Sequence, residues 1–447
     1  MFQMSAAVSL SATRPCIFPA MLPTGTAIHE SATCLSTNPS LIFMLHYLSF
    51  LIRSLPISGQ CAILDTDRFD LSAKENIMDI QTQSDKLRLC IFSGDITRPG
   101  GTERVAAFLA DGLAASPRFD VSLVSLTESS DTPAFPVNDG IPRFTLSEKW
   151  VQPGPGYLRV IRRLLRLIRR EKFSVIIDVD TVLDLLSVPC KWLTGIRVVS
   201  WEHFHYTELL GTSYRSLCRK ITCRFSDCIV PLTERDAGVW RSSGHPSCPV
   251  IPIPNPANYL PPCAPPARRG KIILSAGGLV PIKGFEDVIQ AARQVIPRFP
   301  DWTFLIVGDG PEKEHLLRLI RQYHLEDNVI LKGYSSDMPS LYLQSSIYLL
   351  TSRSEGLPMV LLEAKYYRLP TISYDIENGP SEILLDGTNG YLVPPGRTDL
   401  LAEKLCALIE DDALRQSFSE HAWDNIDKFD KDAILNRWTD LLLNLSA

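Results

Sequence analysis

The feature that most constrains the fold of this chain is a repeated alternation of short apolar runs with segments of helical periodicity. Apolar runs that predict buried strands occur in the first half at residues 87–93, 120–126, 174–180, 196–203, 227–232 and 249–256. In the second half they occur at residues 271–275, 303–307, 328–332, 347–351 and 371–374. Helical periodicity predicts helices at residues 102–114, 158–172, 214–225, 285–296, 312–322, 340–344 and 358–367, and again from residue 398 onward. Strands that alternate with helices predict a parallel sheet covered on both faces.

A proline-rich segment at residues 257–270 divides the chain into these two halves. Prolines at this density block helix and sheet alike, so the segment predicts a stiff linker. We therefore expect an α/β protein with two doubly wound, Rossmann-like domains at residues 86–256 and 271–428. A C-terminal helix at residues 429–447 is expected to pack back toward the first domain. Ligands of such sheets bind beyond the carboxyl ends of the strands, which predicts a site in a cleft between the domains.

Residues 1–85 form an N-terminal extension that we expect to be disordered or to result from a mis-called start. Its longest apolar stretch, at residues 40–52, is interrupted by His46 and ended by Arg53. This stretch is shorter than the about 20 residues that a membrane span needs. One hypothesis is that translation starts at Met78; a targeting segment and a short membrane-contacting helix are the alternatives.

Composition narrows the class of protein and its partners. A hydrophobic fraction of 45% and a charged fraction of 21% are ordinary for a soluble globular protein. The net charge of −5 argues against nucleic acid as a partner. The chain has 11 cysteines and no C-x-x-C motif, which predicts free thiols in a reducing cytoplasm. No D-x-D-type metal motif lies in a plausible loop, so we expect neither a metal nor a cofactor.

The stretch S-E-G-L-P-M-V-L-L-E-A at residues 354–364 is the strongest candidate for a binding site. It follows a predicted buried strand, and Pro358 suits the first position of a helix. A helix start at the carboxyl end of a strand favours an anion such as phosphate. Glu355 falls in the turn, and Glu363 lies far enough into the helix to accept hydrogen bonds from ribose hydroxyls. The alternative is that both glutamates are solvated carboxylates at the ends of an ordinary helix.

Other polar groups follow predicted strands, and each alone also fits a purely structural role. Glycine turns of this kind are G-G at residues 100–101, G-G-L-V-P-I-K-G at 277–284, V-G-D-G-P-E at 307–312 and L-K-G-Y at 331–334. His203 ends a predicted strand in the run W-E-H-F-H-Y, with His205 as the weaker candidate. A lone histidine is more often structural than functional.

Taken together, these motifs resemble retaining glycosyltransferases of family 4, also called glycosyl transferases group 1. The family signature has two glutamates with seven residues between them, and the stretch at residues 354–364 is similar to it. The similarity includes G-L-P between the glutamates, the serine before them and the alanine after them. The runs G-G-T-E, N-G-P-S-E-I and G-T-N-G-Y-L-V resemble further family motifs, and W-E-H resembles forms from its polysaccharide branches. The resemblance covers about residues 86–440 and implies the GT-B fold, in which two Rossmann-like domains face a cleft.

The resemblance implies roles for individual residues. Glu355 would bind donor-sugar hydroxyls, His203 would orient the donor sugar or stabilise developing positive charge, and Lys283 would hold the diphosphate. Glu363 would bind the ribose. The full set of implied donor-binding residues is Gly100, Gly101, Gly278, Lys283, Gly308, Gly310, Gly333, Tyr334, Glu355, Gly356, Leu357, Pro358, Met359, Val360 and Glu363.

Gly278 departs from the family pattern, which has an arginine at this position. One cation instead of two should weaken stabilisation of the leaving diphosphate. Either another cation, with Arg353 as the candidate, replaces it, or activity is reduced.

The implied activity is transfer of a sugar, with retention and without a metal, from a nucleotide sugar to a polysaccharide or lipid-linked oligosaccharide. A UDP-sugar is the favoured donor, and no protein general base is expected. Two alternatives stay open: a nucleotide-sugar epimerase on the same fold, and a catalytically weak scaffold protein that binds sugar nucleotides.

The predicted helix at residues 158–172 suggests a further partner. Its basic residues lie largely on one side and are Arg159, Arg162, Arg163, Arg166, Arg169 and Arg170. An ordinary surface helix is one reading; electrostatic docking to an anionic membrane from the cytoplasmic face is the other.

Overall fold

The computed structural model describes residues 86–151, 156–209, 214–257 and 269–446. The predicted N-terminal extension and almost all of the predicted linker lie outside the described residues. None of the helices in the described ranges is both long and apolar enough to cross a bilayer.

The first half contains a six-stranded parallel sheet with the strand order β3-β2-β1-β4-β5-β6. Its elements are β1 (Leu87–Ser93), α1 (Gly101–Ala114), β2 (Phe119–Ser125), β3 (Arg143–Thr145), α2 (Gly156–Glu171), β4 (Val175–Val179), α3 (Asp184–Thr194), β5 (Arg197–Trp201), α4 (Tyr214–Phe225), β6 (Cys228–Val230) and α5 (Glu234–Val239). Every residue of the central strand β4 is buried, as expected for a parallel strand covered by helices on both faces.

The second half repeats this architecture in a sheet with the order β12-β11-β10-β7-β8-β9, again parallel throughout. Its elements are β7 (Ile272–Ala276), α6 (Phe285–Val295), β8 (Thr303–Val307), α7 (Lys313–Gln322), β9 (Val329–Gly333), α8 (Met338–Gln344), β10 (Ile347–Leu350), α9 (Met359–Tyr366), β11 (Thr371–Tyr374), α10 (Pro380–Ile383), β12 (Gly390–Val393), α11 (Thr398–Glu410), α12 (Asp412–Glu420) and α13 (Lys431–Ser446). Single 3-10 turns at Thr181–Leu183, Pro281–Lys283, His421–Trp423 and Asp427–Phe429, and a π-helical turn at Trp240–Gly244, complete the regular structure. The predicted α/β class with two doubly wound sheets is confirmed.

One predicted strand is wrong. Residues 249–256 form no regular strand: one bridge joins Val250 to Ile229 of β6, and Ile251 and Ile253 donate their N–H groups to the carbonyls of Ile229 and Pro231. The segment carries four prolines, at positions 249, 252, 254 and 256, whose missing N–H groups limit the pairing to these few bonds at the edge of the sheet. A run of apolar residues can therefore be extended and buried without forming a regular strand.

The predicted strand at residues 196–203 also ends early, at Trp201. Beyond Glu202, whose N–H still donates to the carbonyl of Val230, the chain continues as an irregular segment, in which the side chain of Glu202 accepts the backbone N–H of Phe204 at 3.1 Å. This early exit turns the chain toward the carboxyl edge of the sheet, where the candidate site lies.

The C-terminal helix α13 contacts the first half of the chain. The indole rings of Trp438 and Trp201 meet edge to face, with centroids 4.9 Å apart. The contact with α1 is so close that a Cβ atom at Gly112 would lie 2.3 Å from Leu435 Cδ2. Arg437 also donates a hydrogen bond to the carbonyl of Pro252. The helix thus fixes the second half, in which the chain ends, against the first.

Candidate active site

The carboxyl edges of the two sheets meet at Gly356. A Cβ atom at this position would lie 1.9 Å from the carbonyl oxygen of His203, so only glycine permits this contact between the halves. Asn378 reinforces it by donating to the carbonyl of Gly356 at 3.0 Å and by bonding the hydroxyl of Thr233 in the first half. The loop that precedes α9 and the segment after β5 therefore face each other where the two halves meet, at the border of the expected cleft.

Helix α9 begins at Met359, and Pro358 is its N-cap rather than its first helical residue as predicted. Among the described residues no side chain caps this helix start, and its first turn has no acidic residue. Gly379 supports the turn: its φ is +96°, and a Cβ there would lie 2.4 Å from Pro358 Cδ. The start of α9 therefore keeps its partial positive charge free for an anion.

Helix α1 offers a contrasting start. The Glu103 carboxylate is almost fully buried in its first turn and pairs with Arg98 at 3.3 Å. Gly100 makes room for this carboxylate, because a Cβ there would lie 2.1 Å from Glu103 Oε2. At Gly101 a Cβ atom would meet no heavy atom within 4 Å among the described residues. The positive end of α1 is already balanced, which leaves the start of α9 as the better anion site of the two.

Lys283 and Glu355 form an ion pair beyond the carboxyl end of β10, with Nζ and Oε1 2.6 Å apart. Their side chains are 25% and 12% exposed, so the pair is reachable from the cleft yet partly shielded from water. Gly284, at φ +63°, lets the turn after Lys283 pass close to the end of β10, since a Cβ there would lie 2.3 Å from the carbonyl oxygen of Thr351. The predicted cation and the first predicted carboxylate are thus brought together.

Glu363 is held from both halves. Its Oε1 accepts a hydrogen bond from Arg104 at 3.0 Å, and its Oε2 accepts one from the Tyr342 hydroxyl at 2.8 Å. Its side chain is only 20% exposed, so it is not a solvated surface carboxylate. Each carboxylate oxygen has a further lone pair that can accept a hydroxyl.

His203 is buried beside the contact at Gly356. Its ring lies over that of Trp201, with centroids 4.4 Å apart, and its Nε2 has no hydrogen-bond partner among the described residues. Burial lowers the pKa of His203 to about 3, so the imidazole is neutral at physiological pH. His205, the weaker candidate, has its Nδ1 against the Thr207 hydroxyl at 2.8 Å, and its Nε2 lies 3.5 Å from Asp236 and 3.8 Å from Glu377 of the second half.

The glycine turns of the second half pack against each other at the carboxyl ends of β7, β8 and β9. A Cβ at Gly308 would lie 1.9 Å from the carbonyl oxygen of Gly277, and one at Gly310 would lie 2.4 Å from that of Leu279. Gly308 also donates its N–H to the carbonyl of Gly333 at 3.0 Å. These turns therefore form one surface, next to the exposed ring of Tyr334.

Gly278 lies in open space, with the carbonyl oxygen of Asp309 as the nearest heavy atom, 4.0 Å from a Cβ built there. Arg353, the candidate for the second cation, pairs with two carboxylates of α6 in this structure. Its guanidinium lies 3.5 Å from Glu286 and 3.8 Å from Asp287, and these carboxylates already balance its charge. Lys283 is thus the cation that contacts Glu355 in the described structure.

Among the described residues one cluster could hold a metal ion: Glu286, Glu312 and His315. Glu286 already contacts His315 at 2.9 Å and Arg353 at 3.5 Å, so its charge has partners without an ion. We assign no metal role to this cluster.

Sequence reasoning missed several residues that complete the site. Arg104 pairs with Glu363, and Thr233 pairs with Asn378, although more than 140 positions separate the members of each pair. Arg104 follows the predicted G-G-T-E loop by one residue, which was the available signal. No sequence signal marks Thr233, since its partner becomes known only when the two halves are placed together.

Comparison with known proteins agrees with this geometry. Residues 99–259 match the family model described as Glycosyltransferase Family 4, and residues 265–424 match the one described as Glycosyl transferases group 1. An uncharacterised glycosyltransferase of Haemophilus influenzae is 28% identical over 355 residues, which cover 79% of this chain and 99% of the relative. The amylovoran biosynthesis glycosyltransferase AmsD of Erwinia amylovora is 31% identical over 373 residues, with 79% and 99% coverage.

Solved structures show the same fold. The apo form of the lipopolysaccharide outer core galactosyltransferase WaaB superposes with a TM-score of 0.64 at 21% identity, covering 80% of this chain and 99% of that one. Anabaena HepE in complex with UDP also gives a TM-score of 0.64, at 18% identity and with 80% and 100% coverage. Both the sequence matches and the two facing sheets lead to one conclusion: this chain is a GT-B-fold member of glycosyltransferase family 4.

Proposed function

We propose that this glycosyltransferase moves a sugar, with retention of configuration, from a UDP-sugar to a polysaccharide or lipid-linked oligosaccharide. The observation that carries the proposal is the uncapped start of α9 with Lys283 and Glu355 beside it and His203 across the cleft. The relatives support the substrate classes by their names: one is named an amylovoran biosynthesis glycosyltransferase, and HepE was crystallised with UDP.

In this proposal the donor diphosphate lies at the start of α9. The N–H groups of Met359 and Val360 and the ammonium of Lys283 would face its oxygens, and Glu363 would accept the ribose hydroxyls. The surface made by Gly308, Gly310, Gly333 and Tyr334 would receive the base, with Gly278 beside the diphosphate. Gly100 and Gly101 would close the site from the first half, next to the acceptor.

The transfer step depends on charge that develops on the leaving diphosphate. Preorganised groups that meet such charge usually supply the largest catalytic contribution, and here they are Lys283 and the α9 N–H groups. Glu355 would bind donor-sugar hydroxyls, while a neutral His203 orients the sugar and lends electron density to its positive transition state. The leaving phosphate would take the proton of the attacking acceptor hydroxyl on the same face, so no protein base and no metal is assigned.

Two other functions compete with this proposal. An epimerase would convert a free UDP-sugar without an acceptor, and a scaffold protein would bind the donor without turnover; the glycine at position 278 favours the second of these. Incubation with labelled UDP-sugars distinguishes them by product: transfer or slow hydrolysis, an epimerised sugar, or bound donor alone.

We also propose that the enzyme works on the cytoplasmic face of a membrane, through α2. Its apolar side, with Val160, Ile161 and Leu164, is buried, whereas its six arginines are exposed. Arg163 donates to the carbonyl of Leu146 and Arg170 pairs with Glu171, which leaves most of the charge of this face toward solvent. Each basic residue near an anionic surface contributes about 1 kcal/mol.

Replacing Glu355 with alanine should lower both transfer and donor hydrolysis by roughly 100-fold or more, because the sugar loses the carboxylate that positions it. Release of UDP from labelled donors measures this. The control is E403A, which removes the partner of Lys404 on α11, remote from the cleft. Unchanged turnover in E355A would refute the assigned role.

Restoring the second cation should increase activity. We expect G278R to raise kcat by about tenfold, which corresponds to about 1.4 kcal/mol of transition-state stabilisation. The site has room for the side chain, and G278Q provides a control with a polar but uncharged side chain. Equal rates in the two variants, or no gain in G278R, would show that the missing cation does not limit the reaction.

Membrane docking predicts that the protein floats with liposomes that contain anionic lipid, and that salt weakens this binding. Replacing Arg159, Arg162, Arg166 and Arg169 with glutamine should abolish flotation and leave hydrolysis of a soluble donor unchanged. Failure of the wild-type protein to bind anionic vesicles would remove the proposal.

A further inference from the structure

The segment that carries His203 has no regular secondary structure to hold it. Strand β5 ends at Trp201, and residues 202–206 cross the carboxyl edge of the sheet as an irregular chain. The Nε2 of His203 has no hydrogen-bond partner among the described residues, so its position depends on the backbone and on the contact with Trp201. Buried side-chain contacts must therefore fix its backbone.

Glu202 anchors the segment from beneath. Its side chain is fully buried, its Oε1 accepts the N–H of Phe204 at 3.1 Å, and its Oε2 accepts the hydroxyl of Thr181 at 2.8 Å. Its own N–H is bound to the carbonyl of Val230 on the neighbouring strand. A buried carboxylate needs a compensating cation, and α4 supplies it.

That cation is Arg219, whose side chain is 2% exposed. Its Nε lies 3.3 Å from Glu202 Oε2, its Nη2 donates to the carbonyl of His205 at 3.0 Å, and its Nη1 donates to the carbonyl of Tyr206. The planar guanidinium thus binds the chain at residues 202, 205 and 206, on both sides of His203. Lysine could keep the charge but could not make three bonds in this plane.

A second buried pair supports the first. Arg215, also on α4, binds Asp180 at the end of β4 and lies over the ring of Phe204, with its Cζ 4.7 Å from the centroid. Its Nη1 is 3.9 Å from Glu202. Two arginines and two carboxylates therefore share the space under the segment, which leaves little freedom for the residues above.

The position of this segment matters on both sides of the cleft. The carbonyl oxygen of His203 contacts the backbone of Gly356, so a shift of the segment would move the imidazole and disturb the loop that carries Glu355. The contacts of Arg219 with residues 202, 205 and 206 therefore affect the reacting groups through the position of His203. Arg219 itself does not contact the donor.

We infer that Arg219, anchored by Glu202, is a positioning residue for the transfer reaction and acts through the backbone of His203. This inference rests on the proposed function, in which His203 contacts the donor sugar.

The test is R219K, which keeps the buried charge and loses the planar guanidinium. We expect kcat for donor hydrolysis to fall by 10-fold or more, with KM for the donor changed less than twofold, because Arg219 does not contact the donor. In a His203→Ala background, R219K should cause a clearly smaller loss than in the wild type, since the imidazole that Arg219 positions is already absent. Losses that multiply, or an unchanged kcat, would overturn the inference.

The matched control is R415K. Arg415 also binds two backbone carbonyls, of Leu408 and Ile409, and one carboxylate, of Asp412, but on α11 and α12 of the second half. Its replacement should leave kcat unchanged. An equal loss of kcat in both variants would show a general effect of removing such arginines and would contradict a specific role for Arg219.

Hydrogen–deuterium exchange separates this inference from the proposed function. In R219K the amides of residues 203–207 should exchange at least fivefold faster, while those of β5 stay protected; unchanged exchange would overturn the inference whatever the activity. A wild-type protein with no turnover would instead refute the proposed function and leave the exchange result to decide the positioning role. Should R219K not fold, Glu202→Gln with Arg219→Gln removes both buried charges together and is measured in its place.

Discussion

The contact between the Gly356 backbone and the His203 carbonyl is the constraint on which the rest of the site depends. A side chain at position 356 would overlap that oxygen, so the two halves approach as closely as they do only because this residue is glycine. The hydrogen bonds of Asn378 and the ion pair of Arg104 with Glu363 form around this contact. Together they place the carboxyl edges of two separate sheets against one cleft.

The distribution of charge favours the start of α9 over the start of α1 as the proposed anion site. The start of α1 is balanced by Glu103, whereas the start of α9 has no acidic residue in its first turn and lies near Lys283. Burial keeps His203 neutral, so it adds no positive charge of its own. A bound diphosphate would compete with Glu355 for Lys283, which would free the carboxylate for the hydroxyls of the sugar.

Much of the fold was predictable, because parallel strands buried on both faces appear as continuous apolar runs. Strands β1, β8 and β11 were predicted residue for residue. The strand expected at residues 249–256 was wrong, since its prolines limit its pairing with β6 to a few hydrogen bonds, and the short strands β3 and β12 were not predicted. The family and the fold were predictable from motifs that lie within single loops.

The interactions that complete the site were not predictable in the same way. Arg104 and Glu363, or Thr233 and Asn378, are far apart in sequence, and their pairing depends on how the two halves close. Nothing in the sequence distinguishes Arg219 from Arg215 or Arg224 on the same helix, and only its contacts with residues 202, 205 and 206 do so. Long-range partners of loop residues are thus where a structure adds most to the sequence.

The central claim is that the start of α9 binds the diphosphate of the donor. A crystal structure with UDP tests it directly. The account predicts phosphate oxygens within hydrogen-bonding distance of the N–H groups of Met359 and Val360 and of Lys283 Nζ, with the ribose hydroxyls on Glu363. UDP bound away from α9, or a ribose that does not touch Glu363, would contradict the account.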